Sequence, residues 1–375
     1  MRLIDRYLLR EFLLVFNYCF NGFLVLWVAF DLMNELHGLQ EKHLTSLEIV
    51  QLYILRLPEF LPIALPIALL LALLYSLSNH ARYNEVTAIR AAGVSLWRLS
   101  APYLGVGLIA GAVLFGVNEF CAPVTADLAE QLLGKHAALQ TRPDDPKQAK
   151  KLFFFNAREN RSWFIGHYDV ATGEMQQPVV DWTLPDGSHR KLSAERGVRT
   201  NGIWTFYHVR EFRAGSSTNS YPVPLPQTNM LAMPDFNETL PEIRSEISIN
   251  KRWENQARSR RADISIGQIW NYLRLHPKPD PAHKAWLETK LQGRLAGPCT
   301  CLVVVLIAVP FAAGSGRRNV FVGVAASIFI FFAYYILQQV GFAYGEAGRI
   351  PAWIAAWFPN LVFAAAGLWL MARVR

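Results

Sequence analysis

Residues Leu57–Leu77 read LPEFLPIALPIALLLALLYSL and carry a single charged side chain, Glu59. An apolar run of this length crosses a hydrocarbon core of about 30 Å as a helix, because a helix satisfies its own backbone hydrogen bonds in lipid. Similar stretches stand on either side of it: Phe12–Met33, Ala101–Phe120, Leu295–Ala313, Val320–Val340 and Trp353–Met371. The sequence therefore predicts an α-helical polytopic membrane protein with six spans, arranged as three and three.

Arginines mark one side of these spans. If the helices alternate in direction, one face receives Arg2, Arg6, Arg10, Arg82, Arg90, Arg98, Arg317, Arg318, Arg373 and Arg375. The loops on the other face hold Lys42 and Arg349, which several glutamates balance. Basic loops stay in the cytoplasm, so both termini are predicted to be cytoplasmic and residues 121–294 to lie outside.

The composition fits a chain that is part membrane and part aqueous domain, with 52% hydrophobic and 18% charged residues. The net charge of +8 is largely explained by the arginines that set the topology, so we expect no nucleic-acid partner. We divide the chain into a first membrane half (1–120), a β domain (121–262), a helical return (263–294) and a second membrane half (295–375).

The outer segment is predicted to be an all-β, jellyroll-like domain followed by helices. Its strand-like runs are Leu152–Phe155, Trp163–Val170, Val179–Leu184, Lys191–Ala194 and Ile203–Phe212. Between them stand Thr172-Gly173, Asp186-Gly187 and Asn201-Gly202, which supply the positive φ angles of tight hairpins. Helices are predicted over Ile264–Leu275 and Ala282–Leu295, and we expect the second to run straight into the fourth span.

Enzyme signatures are missing from the sequence. Gly314-Ser315-Gly316 precedes two arginines and lacks the lysine and hydroxyl that a phosphate-binding loop needs. No H-E-x-x-H and no finger-type cysteine pair occur. We therefore predict no catalytic residue, no metal site and no cofactor in this chain.

The segment Asn79–Ser95 is predicted to form a short cytoplasmic helix, with Val86, Ile89 and Ala92 on one stripe and Gly93 at its end. It is either an interfacial connector or a coupling helix that inserts into a groove of a cytoplasmic partner. The polar residues that would make that contact are Arg82, Tyr83, Glu85 and Arg90.

The second span carries Pro58, Pro62 and Pro66 at a spacing of four residues. Each proline removes a backbone hydrogen bond, so we expect this helix to bend. The bend is either purely architectural or part of a gate for transport.

Two groups of outer residues are candidates for lipid contact. His37, Lys42 and His43 lie at the outer end of the first span, and a further basic run is Lys251, Arg252, Arg258, Arg260 and Arg261. These residues are either a solvated face or a site for lipid phosphate. In the β domain, Phe164, Trp182 and Trp204 either fill a closed core or line a slot for acyl chains.

Several motifs in order resemble one known family. They are DRYLLREF at Asp5–Phe12, NEVTAIRAAG at Asn84–Gly93, NEFCAP at Asn118–Pro123 and WLMAR at Trp369–Arg373. Together with the arrangement of three spans, an outer β domain and three spans, they resemble the lipopolysaccharide export permeases of the LptF/LptG type. The opening and the last third resemble LptG more than LptF.

The resemblance implies a permease subunit of the inner membrane of a Gram-negative bacterium. Such chains pair with a homologous permease chain, a dimeric cytoplasmic ABC ATPase that holds ATP and Mg, a single-span LptC-like subunit and a periplasmic bridge protein. It also implies that Glu85 is the acid that contacts the ATPase. LptG-type chains carry several lysines at the outer end of the first span, whereas here Lys42 stands with His37 and His43.

Two other functional classes stay open on the residues alone. An ion-driven secondary transporter would need intramembrane carboxylates, and Asp31, Glu59 and Glu119 lie near span ends or beside a basic residue. A membrane-anchored receptor or scaffold would need fewer spans than six. Co-purification with a soluble ATPase would distinguish a transporter with a coupling helix from these two other classes.

Overall fold

A computed structural model describes residues 3–41, 44–138, 148–169, 172–184, 187–215, 221–254, 264–314 and 320–373. The described residues form two compact units. The membrane unit contains the chain up to Ala129 and again from Pro281, and the sheet unit contains the residues between Glu130 and Asp280. This division agrees with an aqueous domain inserted between two membrane halves.

The first half of the membrane unit is entirely helical. Its elements are α1 (Leu3–Glu41), α2 (Ser46–Arg82), α3 (Glu85–Ala91), α4 (Leu96–Gly116), a π-helical turn (Val117–Cys121) and α5 (Ala122–Ala138), which leads into the sheet unit. The helices extend beyond the predicted apolar spans: α1 continues past Met33, and α2 begins before Leu57. The predicted spans were shorter than the helices because hydropathy identifies only the apolar stretch and leaves out the polar residues at the helix ends.

The sheet unit is built on one antiparallel sheet. Its strands are β1 (Gln148–Asn156), β2 (Arg161–Asp169), β3 (Met175–Thr183), β4 (His189–Ser193), β5 (Arg196–Thr200), β6 (Ile203–Ala214), β7 (Val223–Pro224) and β8 (Thr228–Met233). Hydrogen bonding orders them β1-β2-β3-β4-β6-β5, with β3 also pairing β5 and with β7 and β8 pairing β6. Two helices complete the unit, α6 (Leu240–Glu254) and α7 (Ile266–Leu275).

The predicted hairpin turns are present where the structure describes them. Gly173 has φ +74°, Gly187 has φ +79°, and Asn201 and Gly202 have φ 52° and 84°. This is the left-handed region that glycine and asparagine tolerate best. Asp186 lies outside the described residues.

The second half of the membrane unit contains α8 (Pro281–Ala296), α9 (Cys299–Gly314), α10 (Val320–Glu346) and α11 (Ala352–Arg373). Within the described residues, five helices have the length and composition of membrane spans, and a sixth span results if the bent pair α8 and α9 counts as one. The prediction that the helix after Ala282 runs straight into the fourth span is wrong, because α8 and α9 meet at a bend of 50°. Gly297 and Pro298 separate them, and proline cannot continue the backbone ladder of the preceding turn.

Small residues let the membrane helices approach closely. A Cβ on Gly111 of α4 would lie 2.6 Å from the carbonyl oxygen of Pro298, and one on Gly367 of α11 would lie 2.9 Å from that of Leu306. Close approach of this kind is how helices associate in lipid, where apolar burial supplies little driving force between them.

Polar side chains cap backbone carbonyls at the two irregular points of the membrane unit. Arg294 donates to the Asn118 oxygen in the π-helical turn at 2.8 Å and to Glu119 Oε2 at 3.0 Å. Asn360 donates to the oxygen of Ala296, the last residue of α8, at 2.9 Å. An uncapped carbonyl in an apolar surrounding costs several kcal/mol, so these contacts stabilise the irregular backbone.

Candidate functional site

The segment predicted to contact a partner forms a tight corner between α2 and α3. Asn84 has φ 59°, a left-handed conformation that asparagine tolerates, and Glu85 is the first residue of α3. Gly93 follows the helix with φ +84°. The sequence thus encodes a helix of two turns with a defined start and end.

The residues predicted on and beside α3 differ in their exposure to solvent. Val86 is buried in the core of the membrane unit, Ile89 is half-buried, and Ala92 is exposed. Arg82 and Tyr83 are exposed, while Arg90 is half-buried. The structure therefore brings Arg82, Tyr83, Glu85 and Arg90 together on one corner, anchored by Val86.

Glu85 is held by residues of other helices. Its Oε2 lies 2.7 Å from His80 Nδ1, at the end of α2. The Tyr7 hydroxyl of α1 donates to the same oxygen at 3.5 Å, the outer limit of hydrogen-bond distance. The His80 side chain is 1% exposed and that of Glu85 is 36% exposed. The carboxylate is thus fixed from the inside and accessible from the outside.

The start of α1 is joined to the same corner by further charges. His80 Nε2 lies 3.4 Å from Glu11 Oε2, and the His80 ring stands edge-on to Tyr7 with 5.7 Å between ring centroids. Arg98 of α4 donates to Asp5 at 2.8 Å. Sequence reasoning did not single out His80, Glu11 and Tyr7, because the contact between the start of α1 and the end of α2 has no local signature.

At the other end of α1, the residues predicted to contact lipid phosphate are described in part. His37 is exposed, and Lys42 and His43 lie outside the described residues. A group not predicted lies nearby in the chain: Arg56 of α2 donates to Asp31 at 3.1 Å and to Glu35 at 2.6 Å of α1. Arg56 thus connects α2 to α1 through two carboxylates.

The basic run after the sheet is described for only part of its length. Arg258, Arg260 and Arg261 lie outside the described residues, as does the side-chain environment of Lys251. Arg252 is buried in the sheet unit, with 6% of its surface exposed, so the described arginine of this run does not belong to a solvated face.

The three prolines of the second span lie inside an unbroken helix. Pro58 and Pro66 are buried and Pro62 is half-buried. Of the five described helices that each form a span alone, α2 is the most buried, with 67% of its most apolar stretch covered. A role of these prolines in gating stays a prediction.

The aromatic residues of the sheet unit fall into two environments. Trp204 is fully buried, whereas Trp182 is half-buried and Phe164 is 44% exposed. Phe236, just before α6, covers the buried rings: its centroid lies 5.4 Å from those of Trp163 and Trp182 and 5.8 Å from that of Phe206. In this state Phe164 alone of the three predicted lipid contacts is freely accessible.

Beneath Phe236 lies a buried carboxylate that the sequence did not identify. Glu238 accepts hydrogen bonds from Arg161 at 2.7 and 3.0 Å, from Trp163 at 3.1 Å and from Asn156 at 2.8 Å. The Trp204 indole donates to its backbone oxygen at 2.8 Å. Burial also raises the pKa of the Tyr168 hydroxyl in this core, which keeps that group neutral.

The corner at Glu85 has the chemistry of a docking point and not of a reaction centre. A partly exposed carboxylate, an exposed arginine and an exposed tyrosine suit recognition of a polar protein surface. Among the residues that the structure describes, no group of three histidine, cysteine or carboxylate side chains is placed to hold a metal ion.

Comparison with known families decides the identity of the chain. The model of the lipopolysaccharide export system permease LptF/LptG matches residues 6–373. The chain belongs to the LptF/LptG family. It is therefore a multi-pass permease subunit of the inner membrane and is not itself an enzyme. The predicted family and fold class are both confirmed.

The family model covers LptF and LptG together, so the preference for LptG stays a prediction. A comparison with curated proteins gives no match.

Proposed function

We propose that this chain is one permease subunit of an ABC transporter that extracts lipopolysaccharide from the inner membrane and passes it to a periplasmic bridge protein. A separate dimeric ATPase supplies ATP and Mg chemistry from the cytoplasm. A homologous permease chain and a single-span LptC-like subunit complete the assembly. Both termini are cytoplasmic and the sheet unit is periplasmic.

The observation that carries this proposal is the fixed but accessible carboxylate of Glu85 at the turn between two spans. A permease that does not hydrolyse ATP needs a rigid contact through which the ATPase moves its helices. Glu85 meets this need because His80 and Tyr7 connect it to α2 and α1. A simple interfacial connector has no reason to hold an acid in this way.

The energy requirement supports an ATP-driven mechanism. Removing acyl chains from hydrocarbon costs about 0.8 kcal/mol per methylene, so a lipid with several chains cannot leave the bilayer spontaneously. Coupled hydrolysis together with an apolar receiving surface offsets this cost. Phe164, Trp182 and Trp204 on the sheet unit are the candidates for that surface.

The charged groups at the helix ends argue against the alternative of an ion-coupled transporter. Asp31 and Glu35 both lie within ion-pair distance of Arg56, and Glu119 lies 3.0 Å from Arg294. Each of these carboxylates is already engaged by an arginine, an arrangement that internal pairing explains better than a proton relay does. Arg56 is already engaged by Asp31 and Glu35, so the candidates for recognition of lipid phosphate are His37, Lys42 and His43.

The test is a Glu85→Gln variant in the complex assembled with its ATPase and partner chain. We expect the complex to form normally, and lipopolysaccharide extraction from proteoliposomes to fall at least tenfold, the scale of one lost charge-assisted contact. The matched control is Glu288→Gln, which removes an exposed carboxylate of α8 whose partner is Lys284 at 3.7 Å. Extraction at the wild-type rate by Glu85→Gln would refute the coupling role.

A further inference from the structure

A buried imidazole holds the carboxylate that is proposed to contact the ATPase. His80, the third residue from the end of α2, is 1% exposed although its ring meets two carboxylates. Its Nδ1 faces Glu85 of α3 at 2.7 Å, and its Nε2 faces Glu11 of α1 at 3.4 Å. Buried polar groups persist where their partners are fixed, because an unmatched group is costly.

The two contacts differ in strength and in what they join. The Glu85 contact is a short hydrogen bond, whereas the Nε2 atom lies 3.4 Å from Glu11 without forming one. The first contact fixes the side-chain rotamer of an accessible acid, and the second places the imidazole against α1. Tyr7, edge-on to the ring, closes the pocket from the α1 side.

The helix reached in this way is the least covered span of the unit. Of the most apolar stretch of α1, 6% is buried, against 67% for α2. Polar contacts join the start of this helix to α2 and α4. The pocket around His80 and the Arg98–Asp5 pair are such contacts.

We propose that His80 is a positioning residue that holds the Glu85 carboxylate in the orientation needed for the ATPase and links its displacement to α1. This inference rests on the coupling role proposed for Glu85. It adds the route by which a displacement of α3 reaches α1. The displacement passes from the Glu85 carboxylate, which His80 holds in place, to the Tyr7 hydroxyl of α1, which donates to that carboxylate at 3.5 Å.

Two amide substitutions test the roles of the two ring nitrogens of His80 one at a time. The amide nitrogen of asparagine occupies the place of Nδ1, and that of glutamine occupies the place of Nε2. His80→Asn therefore keeps a donor to Glu85, and His80→Gln moves the donor towards Glu11. His80→Leu fills the pocket without a donor.

The readout is lipopolysaccharide extracted from proteoliposomes per ATP hydrolysed by the complete complex. We expect His80→Leu and His80→Gln to lower this ratio about tenfold, the scale of one lost hydrogen bond to a charged group, and His80→Asn to stay within about threefold of wild type. The double variant of His80→Leu with Glu85→Gln should be no worse than Glu85→Gln alone, because both act on one contact. Melting temperatures of all variants identify losses caused by unfolding.

Three results overturn the proposal: a wild-type ratio in His80→Leu, equal losses in His80→Asn and His80→Gln, or additive losses in the double variant. If His80→Leu does not assemble, the comparison of the asparagine and glutamine variants decides alone. Normal coupling by Glu85→Gln is a separate outcome, since it refutes the coupling function itself.

Discussion

Two carboxylates of this chain are held by basic and aromatic side chains, and they differ in their access to solvent. Glu238 in the sheet unit is 0% exposed and faces Arg161, which is 5% exposed. Glu85 in the membrane unit faces the buried His80, yet 36% of its side chain is exposed. The difference teaches that Glu238 is buried and stabilises the fold of the sheet unit. Glu85, in contrast, is held at a surface that a partner can reach.

The largest loss of stability is expected from breaking the buried ion pair of Glu238 and Arg161. Glu238→Ala leaves the Arg161 guanidinium without its partner in the core, and removing one member of a buried ion pair destabilises a protein by about 3–5 kcal/mol. Loss of the hydrogen bonds to Trp163 and Asn156 acts in the same direction. Chemical denaturation of the full chain in detergent, followed by tryptophan fluorescence, measures this change.

The control for that variant is Glu174→Ala, which removes the partner of the half-exposed Arg196. Surface pairs contribute about 0–1 kcal/mol, so this change should be small. Equal effects of the two variants would mean that enclosure does not distinguish Glu238.

A smaller loss of stability is expected in the polar network of the membrane unit. Asn360→Leu removes the donor to the Ala296 oxygen and the acceptor for the Tyr334 hydroxyl, which lies 2.6 Å away. Leaving buried polar groups unsatisfied costs about 1–3 kcal/mol. Thermal unfolding in detergent should show the loss, and an unchanged melting temperature would mean that water replaces the amide.

Replacing both Pro58 and Pro66 with alanine tests the gate. If the two prolines shape a moving helix, the variant should assemble normally and extract lipid more slowly, by about threefold to tenfold, because the restored backbone hydrogen bonds stiffen α2. Extraction from proteoliposomes measures the rate. Unchanged extraction would leave these prolines a purely architectural role.

Photo-crosslinkers in the sheet unit test the route of the lipid. A probe at the exposed Phe164 should capture lipopolysaccharide when ATP drives the complete complex, and the half-buried Trp182 should capture less. A probe at the enclosed Trp204 reports whether the core opens. Adducts at none of these positions, with a working probe elsewhere, would place the lipid route outside the sheet unit.

The smallest change in stability is expected at the accessible acid. Glu85→Gln alters one partly exposed residue of a short helix, so the free energy of unfolding should change by no more than about 0.5 kcal/mol. Thermal unfolding of the same complex used for transport measures it. A loss as large as that of Glu238→Ala would make Glu85 a structural residue and erase the comparison.

Much of the architecture was predictable because it depends on local patterns. Apolar runs such as Leu57–Leu77 indicate spans, and Asn201-Gly202 indicates a hairpin, whatever the rest of the chain does. The strands β5 and β8 were missed because their sequences are polar or lack alternation. The helix α6 was missed because its polar sequence resembles a linker, although Ile243 is fully buried against the sheet.

The sequence indicated Glu85 and Tyr83 as candidates for the partner contact but did not indicate the side chains that hold Glu85. His80 meets Glu11 across two helices, and Arg161 meets Glu238 across 77 positions of sequence. Such contacts follow from packing and have no local signature. The bend at Gly297-Pro298 was visible as a dipeptide, but its apolar surroundings favoured an uninterrupted span.

The central claim is that the corner at Glu85 contacts the ATPase. Its most direct test leaves Glu85 unchanged and identifies, by crosslinking, the protein that lies beside it. A photoreactive phenylalanine replaces Tyr83, which is 66% exposed next to the α3 corner, and the matched control replaces Tyr221 of the sheet unit, which is 87% exposed. The account predicts that irradiation of the assembled complex links position 83 to the cytoplasmic ATPase and does not link position 221 to it. An ATPase adduct at position 221, or none at position 83 while the probe there reacts with other molecules, would contradict the account.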